Sequence, residues 1–268
     1  MRIAVLIKQV PAVDTVRINE TTGTMEREGV ESELNPLDLH ALEAAIGIKE
    51  SGDARVTAIT MGPAQARKML SGAVAMGCDD AVLLTDRRFA GADTLATARV
   101  LAAGIEKLGG FDLILAGERA TDGETGQVAP AVAEILRLPA LTYVSAIREL
   151  RPGHATIERA LEGGHETLRA PLPAVLSVIK EINRPRLTTL AGKLRAKGAE
   201  IPAYGADDLG LREEEIGLKG SPTRVAKVMY PKVTRTGRRY VMAEDAEAAL
   251  GALSAFLAEK GFLGEVAE

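Results

Sequence analysis

The 268-residue sequence predicts an α/β fold built on a doubly wound, mostly parallel sheet. Three observations carry that expectation: short β-branched apolar runs recur, each is followed by a segment of helical period, and the rhythm breaks after residue 140. The first run, residues 2–7 (Arg-Ile-Ala-Val-Leu-Ile), is continuous in the manner of a strand buried on both faces. Thr15–Asn19 and Gly23–Arg27 alternate around Glu20-Thr-Thr-Gly23, which reads as a small exposed hairpin inserted at the sheet's edge. Asn35-Pro36 is a helix start, with Asn able to cap and Pro lacking an N–H to waste; Leu42, Ala45 and Ile46 then share a face until Gly52. A strand at 55–60, a Gly62-Pro63 turn and a helix carrying Met69, Leu70, Ala73 and Val74 repeat the unit, stopped by Gly77.

A third apolar run, 81–84, precedes a helix that Asp93 can cap and that runs to Leu108. A fourth, 111–116, precedes one with Val128, Ala131, Val132, Ile135 and Leu136 at helical spacing. Alternation at this spacing implies right-handed crossovers and a parallel sheet. After residue 140, runs at 141–144, 155–159, 166–169 and 174–179 come without helices between them, and Glu162-Gly-Gly164 is a turn signal. Added strands are expected there, some antiparallel. From 183 to about 231 the composition turns to Pro, Gly, Lys, Arg and Glu, an extended arm that ends in an amphipathic helix at 243–259 with Ala246, Leu250, Leu253 and Leu257 on its apolar side. The expected division is a nucleotide-binding α/β domain, 1–184, and a partner-binding segment with the arm, 185–268.

With 46% hydrophobic residues the chain can bury one large core or a core plus an appendage. Its 33 basic and 37 acidic residues are mixed along the chain, a net charge of −4, so no basic stripe advertises nucleic acid. The single cysteine, Cys78, excludes an internal disulfide and any CxxC site and fits a reducing compartment. The N-terminal run is too short for a signal sequence and no 18-residue apolar stretch exists, so a cytoplasmic protein without membrane insertion is expected. His40, His154 and His165 have no ligand spacing, so no metal site is expected.

In open α/β sheets ligands bind beyond the carboxyl ends of the strands. The loops expected there are Asn35-Pro36-Leu37-Asp38 at the start of the first long helix, Met61-Gly62-Pro63, residues 89–97 (Phe89, Gly91, Ala92, Asp93, Thr94, Thr97), and Gly117-Glu-Arg119-Ala-Thr-Asp122-Gly123-Glu124-Thr125-Gly126-Gln127-Val128. The last has neither the lysine of GxxxxGK[ST] nor the GxGxxG spacing, which disfavours phosphoryl transfer. Its glycines, Thr125, Gln127 and the following helix N-terminus suit a phosphate that is held and not cleaved. Thr121-Asp-Gly-Glu124 also fits a capping box, so helix capping and nucleotide binding remain open alternatives on local evidence. Asn35 and Asp93 have the same double reading. Arg87, Arg88 and Arg119 are candidate partners for an anion.

Lys8-Gln-Val-Pro11, Asn35-Pro36, Thr60-Met-Gly-Pro63, Ala75-Met-Gly77, Thr121-Asp-Gly-Glu-Thr-Gly-Gln127, Glu158-Arg-Ala-Leu-Glu-Gly-Gly164, Leu172-Pro-Ala-Val175 and Asn183-Arg-Pro-Arg186 together resemble the β subunit of electron transfer flavoprotein. The resemblance covers essentially the whole chain. It implies a Rossmann-like fold of the adenine-nucleotide-binding type, a heterodimer with an FAD-carrying α subunit, and a nucleotide site enclosed by Leu6 and the loops above, with no catalytic residue. Some members of the family keep AMP in that site with a structural role and shuttle electrons from acyl-CoA dehydrogenases. Others hold FAD, accept hydride from NADH and bifurcate the two electrons. Leu84–Thr94, Gly217–Thr223 and Asp122-Gly123 resemble the second subgroup. Leu190 matches the position by which the family docks acyl-CoA dehydrogenase or another oxidoreductase; its alternative reading is an arm leucine packed on its own domain. A stand-alone nucleotide-binding module without redox role is the remaining alternative. Where the family has a basic residue and Gln after the glycine at 117, this chain has Glu118-Arg119, and where the family's signature has an aromatic after Pro-Arg, this chain has Leu187.

Overall fold

The computed structural model describes residues 1–12, 17–18, 25–26, 31–226 and 239–263. They fall in two compact units, Met1–Val228 and Met229–Glu268. In the first unit strand β1 (Arg2–Leu6) is buried at every position after Arg2, as its apolar run predicts. Strand β2 (Gln9–Pro11) follows it. Strands β3 (Arg17–Ile18) and β4 (Met25–Glu26) pair antiparallel, in agreement with the expected hairpin, whose remaining residues lie outside the described ones. Strand β5 (Ser32–Leu34) pairs with β2 in a separate two-stranded ribbon.

Helix α1 (Pro36–Ser51) starts on its proline and ends at Gly52. Strand β6 (Arg55–Met61), helix α2 (Arg67–Met76), strand β7 (Asp80–Leu84), helix α3 (Thr94–Lys107), strand β8 (Leu113–Gly117) and helix α4 (Val128–Leu136) follow in the predicted alternation. Then come β9 (Ala140–Arg151), β10 (His154–Leu161), β11 (Gly164–Pro171) and β12 (Ala174–Val178). The β10–β11 turn is the expected one: Leu161 pairs with Gly164 across Glu162-Gly163, with Gly163 at φ 87°. Strand β9 is far longer than the 141–144 run. Its second half lies on an exposed sheet extension, where residues 145–151 have no apolar run to betray it.

The sheet order is β11-β10-β9-β12-β8-β1-β6-β7, closed at the far edge by a short ninth strand. Strand β1 pairs parallel with β6 on one side and β8 on the other. The chain moves outward from β1 through β6 to β7, then returns across β1 to β8, so the switch in strand order lies between β1 and β8. Alternate side chains divide the core. Ile3, Val5, Val56 and Ala58 pack under α1 and α2; Ala4, Leu6, Ile59 and Ile114 pack with the residues of α3 and α4. Thr60 is fully buried in β6, and its Oγ1 meets no hydrogen-bond partner among the described residues. A buried hydroxyl without a partner costs stability, so Thr60→Val is expected to raise stability by about 1 kcal/mol, read as a higher urea midpoint.

The segment from 183, expected as an extended arm, is partly structured. Helix α5 (Leu190–Lys197), capped by Thr189 Oγ1 on Gly192 N–H at 3.0 Å, packs on α2, and strand β13 (Ala203–Tyr204) adds parallel to β7 as the ninth strand. The sequence hid both because α5 packs through Gly192 and Ala196 and not through an apolar stripe, and two residues are too few for a pattern. Arg186 fixes the entry to this segment, donating to Glu43 and Glu50 on α1. In the second unit α6 (Ala246–Glu259) is capped by Asp245, which accepts from Ala248 N–H at 2.9 Å. This is the terminal helix expected at 243–259, shorter by its first turn.

Candidate functional site

The ends of β1 and β8 are joined by a buried carboxylate. Asp38, in the first turn of α1, accepts the Lys8 N–H on Oδ2 at 2.8 Å and the Gly117 N–H on Oδ1 at 3.1 Å. Burial pushes its carboxyl up to about 7, while hydrogen bonds from Asn35, Lys8 and Gly117 pull the other way. The approach is so close that a Cβ on Gly117 would sit 2.5 Å from Asp38 Oδ1 and 2.8 Å from the Leu37 backbone, which explains the glycine. Asn35 occupies the N-cap position, but its side chain makes no capping bond. It is buried, donates through Nδ2 to Arg119 O at 2.9 Å and accepts Thr121 N–H on Oδ1 at 3.2 Å. The expected Asn cap is thereby corrected: the amide spans to the 117–122 loop, because two backbone groups of that loop outcompete the helix terminus for it.

The capping box of Thr121 and Glu124 is also not formed. Helix α4 starts four residues beyond Glu124, at Val128, and its N-cap residue Gln127 makes no side-chain capping bond. Between them the chain turns through Glu124 at φ 50° and Gly126 at φ 63°, left-handed conformations, with the Glu124 N–H bonded back to Ala120 O at 2.8 Å. The opening N–H groups of α4 are therefore left for an external acceptor. Gly123 has open space where a side chain would lie. Thr121 Oγ1 is buried without a partner among the described residues. Glycine clearance, an uncapped helix start and an orphaned hydroxyl fit the phosphate end of a nucleotide.

Three of the four candidate loops interlock. Besides the Asn35 and Asp38 bonds, Thr94 Oγ1 lies 3.4 Å from Thr125 Oγ1, which brings the 89–97 loop to the 117–128 loop. Met61-Gly62-Pro63 lies on the same carboxyl edge, but its Gly62 N–H goes to Leu84 O, beside β7. Leu6 and Phe89 are buried in the α3/α4 core. Gly91 takes φ 75°, Ala92 N–H reaches Phe89 O, and Thr97 N–H returns to Asp93 O. Asp93 caps α3 as expected, accepting Ala96 N–H at 3.0 Å. The same carboxylate also accepts Thr223 N–H and Oγ1–H, while Ser221 Oγ accepts Asp93 N–H. Residues 217–223 are thus clasped onto 88–94, with Gly217 packed against Arg88 O. Asp93→Ala removes a cap and a clasp together and is expected to cost about 2 kcal/mol, with faster proteolysis near 217–226 as the specific readout.

Among the arginines, Arg88 is engaged by Asp86 and Asp207, and the guanidinium holds the Asp86 carboxyl far below the usual range. Arg119 pairs with its neighbour Glu118. A cavity of about 450 Å³ shares Leu37, Glu118 and Arg119 with the candidate loops and is otherwise lined by Ala160 and His165 of the β10–β11 hairpin and residues 179–181. Leu190 is three-quarters exposed at the start of α5. Cys78 is buried, and burial pushes its thiol up to about 12, so it is a packing residue. Sequence reasoning missed Lys8 as a site residue. Its Nζ lies 2.7 Å from Asp122 Oδ1, supplying from just beyond β1 the lysine that the 117–128 loop lacks. The available signal was a lysine directly after the first buried strand.

The fold and these interlocked loops define an α/β subunit with a loop cluster at the switch between β1 and β8. The family model for the electron transfer flavoprotein domain matches residues 22–209. A protein named electron transfer flavoprotein subunit beta, from Thermoanaerobacterium thermosaccharolyticum, is 48% identical over 238 residues, covering 88% of this chain and 91% of its own. The caffeyl-CoA reductase-Etf complex subunit CarD of Acetobacterium woodii is 43% identical over 261 residues, 97% of this chain and 99% of its own. FixA of Bradyrhizobium diazoefficiens is 41% identical over 250 residues, 91% and 86% respectively. The chain belongs to the electron transfer flavoprotein family, as a β subunit. Among the described residues no helix is long and apolar enough to cross a membrane.

Proposed function

We propose that this β subunit pairs with an α subunit and holds FAD at the carboxyl edge of β1 and β8, takes electrons from NADH, and bifurcates them to the α-subunit FAD and a partner oxidoreductase. The observation that carries the reading is the clasp between 88–94 and 217–223. Two of the three segments whose sequences resemble the NADH-dependent subgroup, Leu84–Thr94 and Gly217–Thr223, are one structural unit at the N-terminus of α3. Similarity along nearly the whole chain to a relative named as part of a reductase–Etf complex supports the same choice. Flavin supplies the redox chemistry; the residues of this chain supply position and electrostatics. Backbone N–H groups at 125–128 face the phosphates, and Leu37, Met61, Gly62, Pro63 and the 91–97 loop form the walls. Leu190 presents an exposed leucine to the oxidoreductase partner.

The reading is tested by extracting nucleotides from the purified αβ pair. Two FAD per pair and no AMP is the expected result; one FAD with one AMP overturns FAD in the β site and favours the conventional acyl-CoA dehydrogenase type.

A further inference from the structure

The Lys8–Asp122 ion pair stands where the topology places a ligand. Lys8 follows the end of β1, Asp122 lies five residues beyond the end of β8, and the switch in strand order lies between those two strands. The 2.7 Å contact therefore bridges the mouth of the crevice. Its side chains are 47% and 25% exposed, so the pair is weak and open to competition. The main chain of Lys8 is fixed on both sides, by its N–H on Asp38 Oδ2 at 2.8 Å and by Asn35 N–H on its carbonyl at 2.9 Å. Only its four-carbon stem is free to re-aim. The neighbouring cations are engaged by other acids, Arg119 by Glu118 and Arg88 by Asp86 and Asp207.

We propose that this pair is an exchangeable strap: a nucleotide diphosphate entering the crevice takes the Lys8 ammonium from Asp122, which turns to solvent. Lys8 thereby becomes a diphosphate-binding residue, and Asp122 the acid that holds it in place until the ligand arrives. The inference rests on the nucleotide reading of the site. A monophosphate satisfied by the uncapped start of α4 has less need of Lys8, so the strap discriminates between one phosphate and two.

If the pair only tethers the loop, removing either partner loosens the same site and both variants weaken binding. If it is a strap, the two variants act in opposite directions. Calorimetric titration of the nucleotide-stripped αβ complex with ADP, AMP and adenosine distinguishes the two. Lys8→Met is expected to weaken ADP about tenfold, AMP less, and adenosine within about twofold, while Asp122→Asn tightens ADP about threefold and leaves adenosine unchanged. Changes of the same sign in both variants, or equal losses for ADP and adenosine, overturn the strap. Should Lys8→Met fail to assemble with the α subunit, the sign of the Asp122→Asn effect decides. Wild-type complex that binds ADP normally while the variants fail these signs refutes the strap alone; wild-type complex that binds neither ADP nor adenosine refutes the nucleotide reading and the strap with it.

Discussion

Asp38→Ala is expected to destabilise the protein by about 3 kcal/mol or more, because it strands two donors, Lys8 N–H and Gly117 N–H, at the buried junction of β1 and β8. The loss should be local as well as global. With the carboxylate gone, the 117–122 loop loses its tie to α1 at Gly117 and is left with the Glu118 N–H bond to Val178 O, the Glu124 N–H bond to Ala120 O, the Asn35 bonds and the exposed Lys8 contact, so hydrogen exchange at 117–122 should accelerate beyond what the fall in global stability accounts for. The conservative Asp38→Asn retains one acceptor and isolates the charge. The folded carboxyl titrates at about 7, against 3.8 for an ordinary aspartate. Between those values the folded chain holds a proton that the unfolded chain does not, so the stability contributed by Asp38 is full below the lower value and is lost as pH rises through the upper one. The difference in thermal midpoint between wild type and Asp38→Asn should therefore grow as pH falls from 8 to 5. A flat difference would show that the buried carboxyl is already ionised across that window.

Gly192→Ala is the second large effect. A Cβ there would lie 2.1 Å from Ala75 O and 3.1 Å from its carbonyl carbon, backbone atoms of α2 that cannot swing away. Helix α5 must lift off α2, at a cost of about 3 kcal/mol by the scale of overpacked contacts. Thermal denaturation and cleavage within 185–200 report the release. On the docking role proposed for Leu190, electron transfer to the partner oxidoreductase should fall as well, since that leucine sits on the first turn of the displaced helix. Gly47 provides the control: it is mid-helix in α1 with nothing within 4 Å of its would-be Cβ, so Gly47→Ala should stabilise by about 0.5–1 kcal/mol.

The alternating core was legible because its signals are local. The apolar run before Lys8, the Asn35-Pro36 start and the Gly77 stop each state their element in a few residues. Strand β9 beyond Val144, helix α5 and strand β13 were not legible, since each is defined by a surface elsewhere in the chain: an exposed sheet extension, the Ala75 carbonyl, the edge of β7. The site divides in the same way. Glycines and a helix start at 117–128 were visible, and Asp93 capped α3 as its position implied. Thr121, Glu124 and Asn35 satisfied local capping patterns and are used differently: the Asn35 amide bonds Arg119 O and Thr121 N–H, 84 and 86 residues away, and Glu124 N–H turns back to Ala120 O, so α4 starts only at Val128. A longer separation, 114 residues, lies between Lys8 and Asp122 and concealed the lysine that the loop lacked.

On the function proposed above, the β-site cofactor is a flavin reducible by NADH. Anaerobic titration of the co-expressed αβ pair with NADH, followed in the visible spectrum, tests it most directly. Bleaching of the flavin band, with a total amplitude matching two flavins per pair, is the expected result. A pair with one flavin whose spectrum NADH leaves unchanged would contradict it.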